Sequence, residues 1–443
     1  MVKEANNLSN TFHGGIHPRY SKEFTKEIPI REVIPGETVT ILMQQHIGAP
    51  CKPIVKVGDS VLVGQKIGDS EAFVSSPVHS TVSGVVKKIA QVLQPNGSKG
   101  EAVVIANDGE YRRLLMETKP LSELTKEEIL HLIREAGIVG LGGAGFPTHI
   151  KLNPPADKKI DYILINGAEC EPYLTSDHRI MLEEPKALIN GLEVILTLFP
   201  NAQGIIGIED NKPDAIEMIS KAIAGKDRMS VCVMETKYPQ GAEKQLIYSA
   251  TKRKVPSGKL PADIGCIVDN VDTTVAIGKA VLEGIPLLRR IITMSGEMFD
   301  QPANYSVPLG VSYRQLIEMS GGHPEEAVKI IHGGPMMGLA MFDYDVPVMK
   351  TSSCILLLSE KEAAICQESA CIRCGRCTRV CPMNLLPLEL DRFARNDDEE
   401  RFLRYHGLDC IECGSCSYVC PAKRHLVHAI RVKKRALMAK KRA

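Results

Sequence analysis

Tryptophan is absent and aromatic residues make up only 5% of the chain, which argues against a surface that stacks nucleic-acid bases. Neither sign of charge is in excess. Lys and Arg number 54 against 53 Asp and Glu, a net charge of +1, so no long-range field draws the chain to nucleic acid or lipid. No apolar run nears the roughly 18–20 residues that span a bilayer. The best stretch, Val194 to Phe199, is far too short. The opening MVKEANNLSNTFHGG lacks the apolar core of a signal peptide. The 12 His include no H-E-x-x-H, so a zinc hydrolase is unsupported. A soluble, cytoplasmic chain is expected, able to dock on a membrane partner.

What is present is globular in composition, with 44% apolar and 24% charged residues. The 443 residues suggest about three domains at about 150 residues each. Cysteine is the exception. Eight of the 14 fall in two runs, Cys371, Cys374, Cys377, Cys381 and Cys410, Cys413, Cys416, Cys420. Each reads C-x2-C-x2-C-x3-C-P. Three thiolates on one tight loop can reach three corners of a cubane, while the fourth points to the other cluster. The spacing thus predicts two [4Fe–4S] clusters. One would use Cys371, Cys374, Cys377 and Cys420, the other Cys410, Cys413, Cys416 and Cys381. Paired C-x-x-C also makes zinc sites, but zinc explains neither the third Cys nor the trailing Pro382 and Pro421. Cys366 lies outside the pattern. Cys51, Cys170, Cys232, Cys266 and Cys354 read as small apolar residues.

Along the chain, residues 1–35 read as an extended arm containing HGGIHP, His13 to Pro18, that packs on something else. Gly-punctuated β signals follow from Pro53 to Asp69 and from Val78 to Ile89. Thr125-Lys126-Glu127-Glu128 is a capping box, ahead of a helix with Ile129, Leu130 and Ile133 on one face and Gly137 as its stop. Strands at 161–166, 203–208 and 230–236 alternate with helices at 183–199, 213–224 and 242–251, which predicts a parallel sheet with helices on its faces. Residues 290–355 read as a small α+β module with a helix near 312–319. Helices are expected at 387–394 and 399–405, then a basic, helix-like tail from Lys423 to Arg442. That tail reads as a solvated face or as a contact for acidic lipid head groups or an acidic partner.

Gly140 to Lys151, GLGGAGFPTHIK, is a glycine-rich turn where a backbone could approach a flat ligand or a phosphate. Alone it could also be a mobile turn. With NGAECEP (Asn166 to Pro172), YPQGAEKQL (Tyr238 to Leu246) and CIVDNVDTT (Cys266 to Thr274) in this order, the chain resembles the flavin- and NADH-binding subunit of respiratory complex I and its relatives. The double cysteine run and the HGGIHP arm narrow the resemblance to the RnfC family, found in the Rnf complexes, which are membrane-bound ion-translocating ferredoxin:NAD oxidoreductases.

The resemblance implies a noncovalent FMN against Gly140, Gly142, Gly143, Ala144, Gly145 and Phe146, with Lys151 and Asn166 contacting the ring. It implies Asn270 and Thr273, or Thr274, near the phosphate and ribityl end. Glu169 and Glu171 would stand near the nicotinamide of NAD(H), the substrate, with Gly241 and Glu243 on a second loop. Glu171 could instead be a turn carboxylate. His149 reads as structural. No catalytic acid or base is implied, because the flavin accepts hydride directly. The family's aromatic after the lysine is replaced by Asn153-Pro154-Pro155.

The implied fold is multidomain α/β. It has an arm (1–35), a biotinyl/lipoyl-like or barrel-sandwich-like β domain (36–115), a Rossmann-like FMN/NADH domain (120–288), a β-grasp SLBB-like module (289–355), an α-rich two-[4Fe–4S] ferredoxin-type domain (360–430) and a basic tail (431–443). Val74 stands where a swinging-arm lysine would sit, so no covalent biotin or lipoate is expected. Expected partners are an iron–sulfur subunit and integral membrane subunits of an electron-transport complex, with the chain peripheral on the cytoplasmic face and no nucleic acid. Rival readings are a soluble NADH:acceptor flavoprotein of bifurcating or hydrogenase type, and a non-enzymatic iron–sulfur adaptor.

Overall fold

The computed structural model describes residues 10–363 and 366–440, so residues 1–9 of the expected arm and 441–443 of the expected tail lie outside it. The architecture is mixed α/β. Near the amino end, Thr38–Leu42, Lys99–Asn107, Gly84–Leu93 and Ser60–Val61 form an antiparallel sheet beside a smaller one of Lys52–Pro53, Lys66–Asp69 and Val78–His79. Alternation sets their inner faces: Val39, Ile41, Val103 and Ile105 are fully buried.

A parallel sheet follows, in the order Met229–Met234, Gln203–Glu209, Tyr162–Gly167, Cys266–Asn270. The helix Lys126–Glu135 that precedes it starts on the expected capping box. The Thr125 hydroxyl accepts from Glu128 N–H at 3.2 Å, and the Glu128 carboxylate accepts from Thr125 N–H at 2.9 Å. Ile129 and Ile133 are buried and Leu130 half-buried. The helix expected over 183–199 is Pro185–Leu198, and a further helix, Ser176–Glu183, precedes it where none is expected. Pro185 has no N–H to continue the first helix and suits the first turn of the second.

Pro185–Leu198 crosses Val271–Glu283 closely because both helices carry glycine at the contact. A Cβ on Gly191 would fall 1.8 Å from the Thr274 carbonyl oxygen, and one on Gly278 would fall 2.9 Å from Gly191 N. This crossing fixes the helix whose amino end, at Asn270, faces the crevice described below.

Next comes a six-stranded sheet ordered Arg31–Glu32, Ala303–Pro308, Arg289–Ser295, Cys354–Leu358, Lys329–His332, Leu339–Met341. Its edge strand, Arg31–Glu32, comes from the amino-terminal arm and pairs in parallel with Ala303–Pro308. The cysteine-rich region is mainly helical, with Pro387–Arg395, Glu399–Arg404 and Leu426–Lys440 around Leu390, Phe393, Phe402, Ile430 and Leu437.

The expected tail is not a separate element. The helix Leu426–Lys440 runs through residue 430 without a break, and its cations pair within the chain: Arg431 with Glu412 (2.9 Å), Lys433 with Asp397 (2.6 Å) and Lys440 with Glu399 (2.7 Å).

Replacing Gly191 with Val forces two backbones apart. We expect Gly191→Val to cost about 3 kcal/mol, read as a lower urea midpoint of the full chain. An unchanged midpoint would show that the helices can separate freely.

Candidate functional site

In the parallel sheet the chain moves outward from Tyr162–Gly167 through Gln203–Glu209 to Met229–Met234, then returns to the other side of Tyr162–Gly167 with Cys266–Asn270. Connections diverge between the last two strands. In open α/β sheets such a point leaves a crevice at the carboxyl ends, where ligands bind. Asn166 and Asn270 are register partners at that end. Asn270 caps the helix Val271–Glu283, its Oδ1 accepting from Asp272 N–H at 2.9 Å. Its Nδ2 donates to Asp177 Oδ2 at 2.7 Å.

The glycine-rich turn closes over this crevice. Val139 and Pro147 form a bridge, and Gly140 N–H donates to the Phe146 carbonyl at 2.9 Å. Leu141 is gripped on both sides: its N–H donates to Thr273 Oγ1 (2.9 Å) and its carbonyl accepts from Arg290 (3.0 Å). A Cβ on Gly142 would lie 2.9 Å from Asn270 Cβ, so the turn can rest there only as glycine. A Cβ on Gly143 would meet nothing within 4 Å. Gly142, Gly143 and Ala144 are exposed, and Phe146 is half-buried. The turn therefore presents bare backbone to open space, the shape a flat ligand requires. Ile47 N–H donates to the Gly145 carbonyl at 3.1 Å and supports the turn from the amino-terminal sheets.

Under the turn, Lys151 Nζ donates to the Val268 carbonyl (2.9 Å) and to Asp269 Oδ1 (2.8 Å). The other Asp269 oxygen is buried without a hydrogen-bond partner. Burial pushes the Glu243 carboxyl up, and Lys151 pulls it back. Asn166 Nδ2 donates to the Gly241 carbonyl at 2.8 Å, and Gly241 N–H donates to Cys170 Sγ at 3.2 Å. The structure thus gathers Gly140 to Phe146, Lys151, Asn166, Gly241, Glu243, Asn270 and Thr273 around one crevice. His149 stands in the same turn, and burial lowers its pKa to about 4.

The two acids of the 166–172 loop are occupied by backbone. Glu169 has a positive φ of 49°, and its Oε1 accepts from Asp177 N–H at 2.7 Å at the start of the helix Ser176–Glu183. Glu171 holds Met336 N–H (3.1 Å) and Met337 N–H (2.9 Å), and burial pushes its carboxyl up to about 7. Behind this loop stand two buried lysines that sequence reasoning missed. Lys22 donates to the carbonyls of Glu169 (2.8 Å), Glu171 (3.2 Å) and Leu174, and Lys212 donates to that of Ala168 (2.7 Å). Asp177, also missed, is pushed up to about 8 by burial and by the nearby carboxylates of Glu169 and Asp272. No local spacing announces these three residues.

Cys381, Cys410, Cys413 and Cys416 line one cavity, together with apolar side chains such as Leu385, Leu390 and Ile430. Burial pushes these thiols up, Cys410 to about 11. Such thiols ionise readily only when a cationic centre takes the thiolates. The other four differ in exposure: Cys371 and Cys374 are exposed, Cys377 and Cys420 half-buried. The two runs share one backbone pattern at an offset of 39 residues. Arg373 and Glu412, Gly375 and Gly414, and Asn384 and Lys423 all have positive φ, and Arg376–Arg379 matches Ser415–Tyr418.

Crevice and cavity share a wall. Tyr238 is 1% exposed, its hydroxyl donates to the Cys413 carbonyl at 2.8 Å, and it packs with Ile16, Cys170 and Cys413. Gln245 Nε2 donates to the Pro382 carbonyl at 3.2 Å.

Residues 10–110 match the family described as the RnfC barrel sandwich hybrid domain, 133–279 the Nuo51 FMN-binding domain, 291–340 the SLBB domain and 370–424 the 4Fe-4S dicluster domain. The chain is 46% identical over 435 residues to the C-type subunit of the Na(+)-translocating ferredoxin:NAD(+) oxidoreductase complex of Acetobacterium woodii, covering 98% of each chain. It is 48% identical over 427 residues to the C-type subunit of the proton-translocating ferredoxin:NAD(+) oxidoreductase complex of Clostridium ljungdahlii, covering 96% of this chain and 93% of that one. Against the C-type subunit of the ion-translocating oxidoreductase complex of Pectobacterium carotovorum the identity is 39%, over 90% of this chain and 54% of the relative. A crystal structure of an NAD+-reducing [NiFe]-hydrogenase in the H2-reduced state shares the fold with a TM-score of 0.50 at 18% identity, over 72% of this chain and 62% of that one.

Glu171 links this site to pH. Its folded pKa of about 7 lies above the ordinary 4.5, so between those values the native chain holds a proton that the unfolded chain has released. This contribution makes stability fall as pH rises through that window. We expect Glu171→Gln to flatten the fall, measured as urea midpoints of the full chain at about pH 5 and about pH 8. Equal pH dependence in both proteins would show that the carboxyl ionises normally.

Proposed function

This chain belongs to the RnfC family of ion-translocating ferredoxin:NAD(+) oxidoreductase complexes, and from that membership we propose how its own residues serve the electron transfer of such a complex. It bears the FMN-binding and 4Fe-4S dicluster regions. We read the parallel-sheet region as a Rossmann-like flavin domain and residues 289–355 as a β-grasp module.

FMN bound over the Gly140–Phe146 turn would exchange hydride with NAD(H) and single electrons with iron–sulfur centres. The chain's part is to seat and orient. Gly142 lets the turn lie on Asn270, and Gly143 leaves the space above it clear. Lys151 brings positive charge beneath, and Asn166 lies at the crevice floor. The amino end of Val271–Glu283 suits a phosphate through its dipole. Thr273 serves by holding Leu141. Gly241 and Glu243 form the wall on the dinucleotide side. Glu169 and Glu171 set the nicotinamide side by fixing backbone, held in turn by Lys22. No side chain is assigned a proton-transfer step.

A [4Fe–4S] cluster supplies one-electron transfer. In this reading Cys381, Cys410, Cys413 and Cys416 hold the cluster near the flavin, and Cys371, Cys374, Cys377 and Cys420 hold the far one. The exposed Cys371 and Cys374 would present the far centre to an iron–sulfur subunit. No helix among the described residues is long and apolar enough to cross a membrane. The proposed station is the cytoplasmic face, docked peripherally on integral membrane subunits. The observation that carries the reading is the Tyr238 wall, which sets the four-cysteine cavity against the loop bearing Gly241.

Iron, sulfide and flavin analysis of anaerobically prepared protein tests it. Because a side chain at position 143 meets open space, Gly143→Val should fold, keep its iron and lose FMN; a normal flavin content would overturn the seat over the turn. Cys413→Ala should lose about half of the iron and keep its flavin. Loss of flavin with iron at full count would overturn the ligand assignment.

A further inference from the structure

Apart from Ile16 in the Tyr238 wall, the HGGIHP segment has no part in the sites above, yet it runs between them. We propose that Gly14, Gly15 and Ile16 form a strap that fixes the near cluster's cysteine loops against the flavin-side loop, making them positioning residues for electron transfer between the two centres. The inference rests on the function proposed above.

Three kinds of contact carry it. First, the strap bonds to both sides through backbone. Ile16 N–H donates to the Tyr238 carbonyl (2.8 Å), Tyr238 N–H donates to the Ile16 carbonyl (2.9 Å), and Gly15 N–H donates to the Val380 carbonyl (2.8 Å). Val380 precedes Cys381, and Tyr238 holds the Cys413 carbonyl. Two cysteines of the near cavity are therefore tied, Cys381 through its neighbour Val380 and Cys413 through Tyr238, to the loop that continues to Gly241.

Second, only glycine fits. Gly14 and Gly15 have φ of 83° and 79°. A Cβ on Gly15 would lie 2.7 Å from the Tyr238 carbonyl oxygen, and one on Gly14 would lie 3.0 Å from the carbonyl oxygens of Val380 and Cys381. Left-handed backbone and missing side chains let three backbones meet.

Third, the strap is anchored at both ends. Lys237 Nζ donates to the Phe12 carbonyl at 2.9 Å and lies 4.8 Å from the Phe12 ring centroid. Beyond Pro18, the Tyr20 carbonyl accepts from Tyr173 N–H at 2.7 Å, and Lys22 grips the 169–174 carbonyls as described. Phe12 and Ile16 are buried. A segment tied this fully to two loops fixes their separation.

The step being positioned makes and breaks no bond: one electron leaves one centre and enters the other. Electron tunnelling weakens as the separation of the two centres grows, so a shift of one loop against the other slows the transfer. The test uses full-length, cofactor-loaded Gly15→Ala, with Gly14→Ala as the milder variant if the first fails to fold. Stopped-flow mixing with NADH separates flavin bleaching from cluster reduction. Before NADH is added, amide exchange is read over residues 378–385 and 140–146.

We expect flavin and iron contents and the flavin-bleaching rate to stay at wild-type levels. Cluster reduction should slow severalfold, and exchange should rise at 378–385 but not at 140–146. Cluster reduction at the wild-type rate, or equal slowing of both phases, would overturn the strap. If NADH bleaches no flavin in the wild-type protein, the proposed function fails instead, a separate result read in the same experiment.

Discussion

Arg290 is the cation on which the crevice depends. It is 3% exposed, and its guanidinium reaches three regions: the Asp272 carboxylate in the first turn of Val271–Glu283, the Leu141 carbonyl of the glycine-rich turn and, at 3.0 Å, the Ser352 carbonyl just before the strand Cys354–Leu358. A buried guanidinium keeps its charge and must find partners, because breaking a buried pair costs about 3–5 kcal/mol. That demand fixes the turn, the capped helix and the 350s segment in one arrangement. Leu141, held by Arg290 on its carbonyl and Thr273 on its N–H, is the hinge pin of the turn. The glycines on either side are then free to serve shape alone.

A second buried layer holds the opposite wall. Lys22 donates to three carbonyls of residues 169–174, and Lys212 to that of Ala168 as well as to the Asn211 and Glu209 side chains, so the loop bearing Glu169 and Glu171 is set by cations beneath it. Lys212 also faces Glu209 at 3.3 Å, and Lys22 faces Glu169 at 3.6 Å, which offsets the cost of burying them. The cleft is thus shaped by charges that do not line it.

Features written in local spacing were legible in the sequence. The capping box at Thr125 and Glu128 needs only four residues, and the parallel sheet follows from alternating periodicities. The cavity of Cys381, Cys410, Cys413 and Cys416 corresponds to one of the two sets that the spacing distinguishes. Whatever depends on contacts distant in sequence was not legible. Lys22 meets residues some 150 positions away, and neither its type nor its neighbours mark it. The resemblance places Glu169 near the nicotinamide, but its carboxylate accepts from Asp177 N–H at the start of Ser176–Glu183, a helix that the sequence reading does not predict. The ion pairs of the basic helix were not legible because its acidic partners, such as Asp397 and Glu412, lie in loops outside it.

The route of the arm bears on how the protein is made. Gly15 leaves the ribosome early, but its partner Val380 is synthesised 365 residues later. At about 5–20 residues per second, that delay is roughly 20 to 70 s. During this interval the buried side chain of Ile16 lacks the surface made by Val380 and Cys413. The Gly15–Val380 contact is therefore among the last to form, after the segment can already have paired with Tyr238.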